Sequence, residues 1–222
     1  MDRIDATEAS GIVVRALQNL LKTISQTGPV GSDARTAVGD TIANAYPLLR
    51  NDAIGPPLDN AFDLCRQTGA TFNAIEQVRV WVTSEQPQTL GGTLIQNALI
   101  GFCLATEGAI ISAMTFASRE GVETVKQEIN LPFNDAEELA ADDMAQATYQ
   151  ALVALHGAIT HHLVMTALPL PRMLNYRFNA VLPTLVISHK LYQDASRADQ
   201  VRDANKIVHP AFSPIMGEAL SS

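Results

Sequence analysis

Three histidines, His156, His161 and His162, lie within seven residues and are the first place to look for metal chemistry. A helical zinc pair needs ligands three or four positions apart, so that both imidazoles leave one face. Here the intervals from His156 are five and six, which turn the rings about 140° and about 240° around a helix. No Cys or Glu stands at a helpful offset, so no metal site and no cofactor are expected. His162 falls near the apolar stripe of its segment and is expected to make a core or interface hydrogen bond. Asp135, Glu137, Glu138, Asp142 and Asp143 form an acidic cluster without the alternating ligands and glycine turn of a calcium loop. Asn134 and Glu137 have capping-box spacing, so these acids read as the first turns of a helix, whose positive end favours them.

No nucleophile-elbow GxSxG, phosphate-cradling GxxxxGK[ST] or dinucleotide-binding GxGxxG occurs. Gly91-Gly92 before a helix is at most a weak anion signal. Ser, His and Asp are common enough to draw many triples, and a triad is defined by geometry. The sequence therefore points to a protein that is not an enzyme.

The elements that carry these residues read mostly as helices. Ile12, Leu17, Leu20, Leu21 and Ile24 have helical spacing over 7–26, and Thr27-Gly28-Pro29 ends that segment. Ser32 or Asp33 caps a second helix, to about Tyr46, and Gly55-Pro56-Pro57 reads as a loop. A third helical stretch runs from about Leu58 to Thr83, weakened at Gly69. An apolar helix follows over about 92–117, then a short one over 119–129 that stops near Leu131-Pro132. A single helix of about thirty residues is expected over 134–166, with Met144, Thr148, Leu152, Leu155, Ile159 and Leu163 as its apolar stripe.

The texture changes at 167. Ala167-Leu-Pro-Leu-Pro171 reads as an extended linker. Arg172–Ala180 alternates like a strand, Pro183 opens a helix over Thr184–Tyr192, and Asp194 or Ser196 caps another to about Lys206. Residues 1–166 hold nine Lys/Arg against nineteen Asp/Glu, a net charge of −10, whereas 167–222 carry six against four, a net of +2. The expected organisation is a mainly α protein: a helical bundle body at 1–166 and a small C-terminal α+β docking module at 167–222.

The chain has 222 residues, 47% of them hydrophobic and 17% charged. That excludes a disordered chain and a small disulfide scaffold. Cys65 and Cys103 form no CxxC unit and are expected to be buried as small apolar side chains; their spacing leaves a disulfide open. No basic-then-apolar leader is seen at the start. The most membrane-like stretch, Leu94–Ala117, is interrupted by Gln96, Asn97, Thr106 and Glu107, so a buried core helix is expected rather than a membrane span. The expected site of synthesis is a cytoplasm.

The last fifty residues carry a resemblance. Leu182-Pro-Thr-Leu-Val-Ile-Ser-His-Lys-Leu-Tyr-Gln-Asp-Ala-Ser-Arg-Ala-Asp199 is followed by Asn205-Lys-Ile-Val-His-Pro-Ala-Phe212 and Pro214. This resembles the C-terminal region of the phage Mu-like DNA circularisation proteins, components of contractile-tail baseplates. The family tends to carry Gly where this chain has Gln193 and Ala211; if those glycines serve positive-φ turns, the turns here are strained or different. The large N-terminal domain of that family is not recognised here, so either a separate gene is expected to encode it or this chain is shortened or divergent. The Tyr192-to-Asn205 segment is also similar to LysM-like modules of phage tail proteins, in which a strand, a short helix and an irregular Pro-containing end pack together and act as protein adhesives.

The resemblance implies a structural component of a contractile phage or phage-like tail, placed in the baseplate near the tube or hub of the virion and made in the host cytoplasm. Its partners would be other tail proteins and further copies of itself, three or six by the symmetry of tails. Tyr192, Asp194, Arg197, Asp199, Arg202, Asn205, His209 and Phe212 are the expected partner-binding residues. Binding of injected DNA ends is the alternative that the family name carries, but an acidic body and a tail of +2 give phosphates little to hold. A tail assembly chaperone is a further alternative.

Overall fold

The computed structural model describes residues 2–221. Among them are ten α-helices, one 3-10 turn and two strands. A mainly helical body followed by a small α+β module is thus the architecture of the chain. Contacts divide it into two compact units, Met1–Met114 with Asn130–Ile159, and Thr115–Ile129 with Thr160–Ser222.

The first unit is built on α1 (Arg3–Leu21) and α6 (Leu90–Ala113), which pack on one another and on α5 (Phe72–Ser84). Helices α2 (Pro29–Ala43), α3 (Ala45–Arg50) and α4 (Gly55–Gln67) complete the bundle. Ala6, Ala9, Val13 and Ala16 let α1 approach its neighbours closely, and Ile12, Leu17 and Leu20 fill the gaps. Each of those large side chains, fully removed from water, contributes about 1.5–3 kcal/mol. By length and composition, α6 is apolar enough to cross a membrane. Half of its most apolar window is buried within this unit, with Leu99, Cys103, Leu104 and Ile111 fully covered. Both cysteines are buried and free.

Proline and glycine act here in ways that the sequence misstates. Gly55-Pro56-Pro57 is not a loop but the opening of α4, because proline near a helix start gives up an N–H that has no partner there anyway. Pro29 likewise opens α2, about one turn earlier than a Ser32 or Asp33 cap would. The stretch from Leu58 to Ser84 does break at Gly69, which adopts φ 92 between α4 and α5. Its hydrogen side faces the Ser25 hydroxyl, leaving no room for a Cβ.

The expected thirty-residue helix over 134–166 is absent. One helix, α7, runs from Arg119 to Asp142, carrying Pro132 inside it, and a second, α8, runs from Gln146 to Ala167. Asn134 therefore sits inside α7 and caps nothing. The acidic cluster lies at the C-terminal end of α7, where the helix dipole does not favour it. The break falls at Met144, which takes φ 53 and is 90% exposed, so it is no part of an apolar stripe. Leu152, Ile159 and Leu163 are buried as expected, whereas Thr148 is exposed.

In the second unit, β1 (Met173–Arg177) pairs antiparallel with β2 (Met216–Leu220), Tyr176 standing opposite Gly217. Between them come α9 (Thr184–Tyr192), a 3-10 turn (Ala195–Arg197) and α10 (Ala198–Ala204). Tyr176, Ile187, Val201 and Ala219 form the core of this β–α–α–β module, with Phe178, Leu182, Leu191 and Tyr192 packed around them. The irregular end after α10 returns as β2, a strand absent from the sequence reading. Three further backbone hydrogen bonds extend the pairing beyond the strands: Phe178 N–H donates to Ile215 O, Ser213 N–H to Leu182 O, and Thr184 N–H to Pro210 O.

Candidate functional site

The expected site residues all fall in the α9–β2 half of the module, and most of them serve its own structure. Asp194 accepts from the Ser196 N–H at 2.9 Å and caps the 3-10 turn. The Ser196 hydroxyl and N–H hold its carboxyl below the usual carboxylate range. The Arg197 guanidinium lies 3.7 Å from the centre of the Tyr192 ring. Arg202 bridges Asp199 and Asp203, a surface network of small energetic weight. Asn205 joins α10 to β2 through its side-chain amide. That leaves His209 and Phe212, whose rings meet at 5.2 Å, facing solvent; Phe212 is 68% exposed.

Positions 193 and 211, where the resemblance would place glycine, differ in backbone conformation. Gln193 ends α9 in the left-handed region, at φ 56, where its N–H still reaches His189 O. A glycine would hold that conformation without a Cβ penalty. Ala211 needs no such freedom, since its φ is not positive.

Two tyrosine hydroxyls, of Tyr176 and Tyr192, and the Ser213 hydroxyl are buried without a hydrogen-bond partner among the described residues. Burial pushes the Tyr176 phenol upward, and the neighbouring Tyr192 adds to it.

The histidines do not converge. His156 Nδ1 lies 2.9 Å from Glu137 Oε1, its Nε2 3.0 Å from Asn130 Oδ1, and its ring stacks on Phe133. Both ring nitrogens are therefore engaged, and the outer one meets an amide rather than a hydroxyl or thiol. His161 is exposed. His162 is half-buried and makes no hydrogen bond to another described residue, so the expected hydrogen bond is not one within the core. Among the described residues, no three His, Cys, Asp or Glu are placed to share a metal ion.

The helix start after Thr89 does bind an anion, but an internal one. The Glu8 carboxylate accepts from the Gln88 and Thr89 N–H groups and from the Thr89 hydroxyl. The Thr89 hydroxyl, then the Gln88 N–H, hold it below the usual range. A Cβ at Gly92 would strike that carboxylate and Pro87. Glycine at 92 lets Glu8 in, and its carboxylate takes up the donors at this helix start.

One buried ion pair was not foreseen from the sequence. Glu107 is fully buried in α6 and accepts from Arg79 Nε at 2.9 Å, leaving Oε2 without a partner. Its sequence signal is a lone Glu inside a long apolar run, which the reading took only as an interruption.

The fold defines a helical protein with a β–α–α–β appendage. No protein-family model matches the chain, and no curated protein matches it.

Proposed function

We propose that this chain is a structural subunit of a contractile phage or phage-like tail, seated in the baseplate near the tube or hub and acting by assembly rather than catalysis. The observation that carries the reading is the ordered set of residues from Leu182 to Pro214, which resembles the C-terminal region of the phage Mu-like DNA circularisation proteins. The same segment has its own small core and turns apolar side chains outward, as a docking module requires. DNA is a poor partner: the body carries a net charge of −10, and in the module Arg202 is engaged by two aspartates and Arg197 is stacked on Tyr192.

The reading is tested by purifying tailed particles from an induced lysate and identifying their proteins by mass spectrometry. A few copies of the chain per tail are expected. Absence from clean particles, with the chain plentiful in the lysate, overturns the baseplate placement and points to an assembly chaperone.

A further inference from the structure

Two exposed surfaces, one in each compact unit, have matching apolar centres and opposite charge. The first lies on the second half of α7. Leu131, Asp135, Glu138, Leu139 and Asp142 stand at intervals of four, seven, eight and eleven from Leu131, within about 100° of one helical face. Leu131 is 67% exposed, Leu139 is exposed, and Met144 projects just beyond the helix end beside Asp143. From Gln127 to Pro171 the chain contains no Lys or Arg. This face therefore has an apolar centre and a rim of carboxylates with no cation of its own segment to neutralise them.

The second surface is the end of the C-terminal module where 178–186 runs beside 208–216, held by the three backbone hydrogen bonds described above. Val181, Leu185, Val208, Phe212, Ile215 and Met216 are all exposed there, Val208 by 99%. Single exposed apolar residues are ordinary; six on two hydrogen-bonded segments make a patch of the kind that marks an interface. Its own segments, 176–193 and 204–217, contain no Asp or Glu, while Arg177, Lys190 and Lys206 are exposed on them, as are His189 and His209.

We propose that the basic, apolar end of the module on one copy docks on the acidic α7 face of a second copy. The contact is heterologous: the two copies use different patches, so each copy keeps one face free for the next. Such contacts generate rings when the rotation closes. The number of copies in the ring rests on the tail reading; the pairing itself rests only on the two surfaces. Charge at the rim sets encounter and register, and the apolar centre supplies the adhesion.

The test uses full-length chains in analytical ultracentrifugation, up to about 200 μM protein and across sodium chloride from about 50 to 500 mM. One variant reverses the module end (Arg177→Glu, Lys190→Glu, Lys206→Glu). The other reverses the helix face (Asp135→Lys, Glu138→Lys, Asp142→Lys). All substituted positions are exposed, and circular dichroism checks that each variant folds. The wild type is expected to associate, about tenfold more weakly at high salt. Each variant alone is expected to be a monomer, and their mixture to associate again, since the reversed module end then meets the reversed helix face. A wild type that stays monomeric, an assembly that survives either reversal, or a mixture that fails to recover overturns the proposal. None of these outcomes depends on whether the chain is found in tails, which the particle experiment decides separately.

Discussion

The side-chain amide of Asn205 pairs with the main chain of Glu218 as a neighbouring strand would. Nδ2 donates to Glu218 O at 2.7 Å, and Oδ1 accepts from Glu218 N at 2.7 Å. Nδ2 also donates to Val201 O, so one amide ties the end of α10 to β2. Gly217 makes room for it; a Cβ there would collide with both Asn205 and the Tyr176 hydroxyl. Asn205→Ala removes all three hydrogen bonds and leaves the Glu218 groups to water. A loss of about 1–2 kcal/mol is expected, felt in the module. Hydrogen exchange at Glu218 N–H should accelerate, while amides of α1 and α6 stay protected. Unchanged protection at Glu218 would remove Asn205 from this role.

Gln193 and Met144 hold left-handed conformations that cost an L-residue about 1–2 kcal/mol. Both ends of the side-chain argument favour replacement, since Gln193 is exposed and Met144 is almost wholly so. Gln193→Gly and Met144→Gly are each expected to stabilise by about 0.5–1 kcal/mol, after the extra chain entropy of glycine is subtracted. Urea titrations of each variant check the sign. A loss of stability at either position would mean that its side chain makes contacts that outweigh the strain.

Local chemistry in the sequence accounts for the mainly helical body and for the α9 segment, whose bounds it predicts as observed. It also locates the break at Gly69. It fails where proline has two meanings. Pro56-Pro57 and Pro132 read as breakers, but one pair opens a helix and the other residue is carried within one. That choice depends on what the flanking turns bury, and the decisive residue, Phe133, is fully buried just after Pro132. The acidic cluster misled for the same reason: once α7 passes through Pro132, Asn134 is no longer a start. Among the expected site residues, type and order placed them in one module, but type alone could not separate those that brace it from those that face outward. Asp194 and Asn205 brace because their side chains mimic backbone groups, and only the positions of Ser196 and Glu218 reveal it.

Cys65 and Cys103 are both buried and unpaired with each other. Burial pushes the Cys65 thiol up to about 11 and raises that of Cys103 further, with the Glu107 carboxylate adding to the second. Thiolate is the reactive form, so neither should react with a disulfide reagent in the native protein at pH 8. Two equivalents are expected to react after unfolding. Rapid native labelling of either cysteine would show that its helix opens readily, and would disagree with the packing of α4 or α6 around it.

The Arg79–Glu107 pair predicts a pH dependence of the body. Burial, opposed by Arg79, pushes the Glu107 carboxyl up to about 7 from an ordinary value near 4.5. A raised acid binds its proton more tightly in the folded chain. Between about pH 4.5 and pH 7 the native state therefore holds more protons at this site than the unfolded state, and stability falls as pH rises through that window. The full excursion is worth about 3 kcal/mol. Glu107→Gln removes the titration while keeping an oxygen for Arg79 Nε. The stability difference between this variant and the wild type should thus shift in the variant's favour by about that amount from pH 4.5 to pH 8. Arg79→Met should cost about 3–5 kcal/mol at pH 8, where it strands a buried carboxylate, and less at pH 5, where Glu107 can take a proton. Urea unfolding of the three proteins at four pH values measures both effects. Parallel pH profiles for wild type and Glu107→Gln would mean that water reaches Oε2 and that the carboxylate stays charged in the folded core.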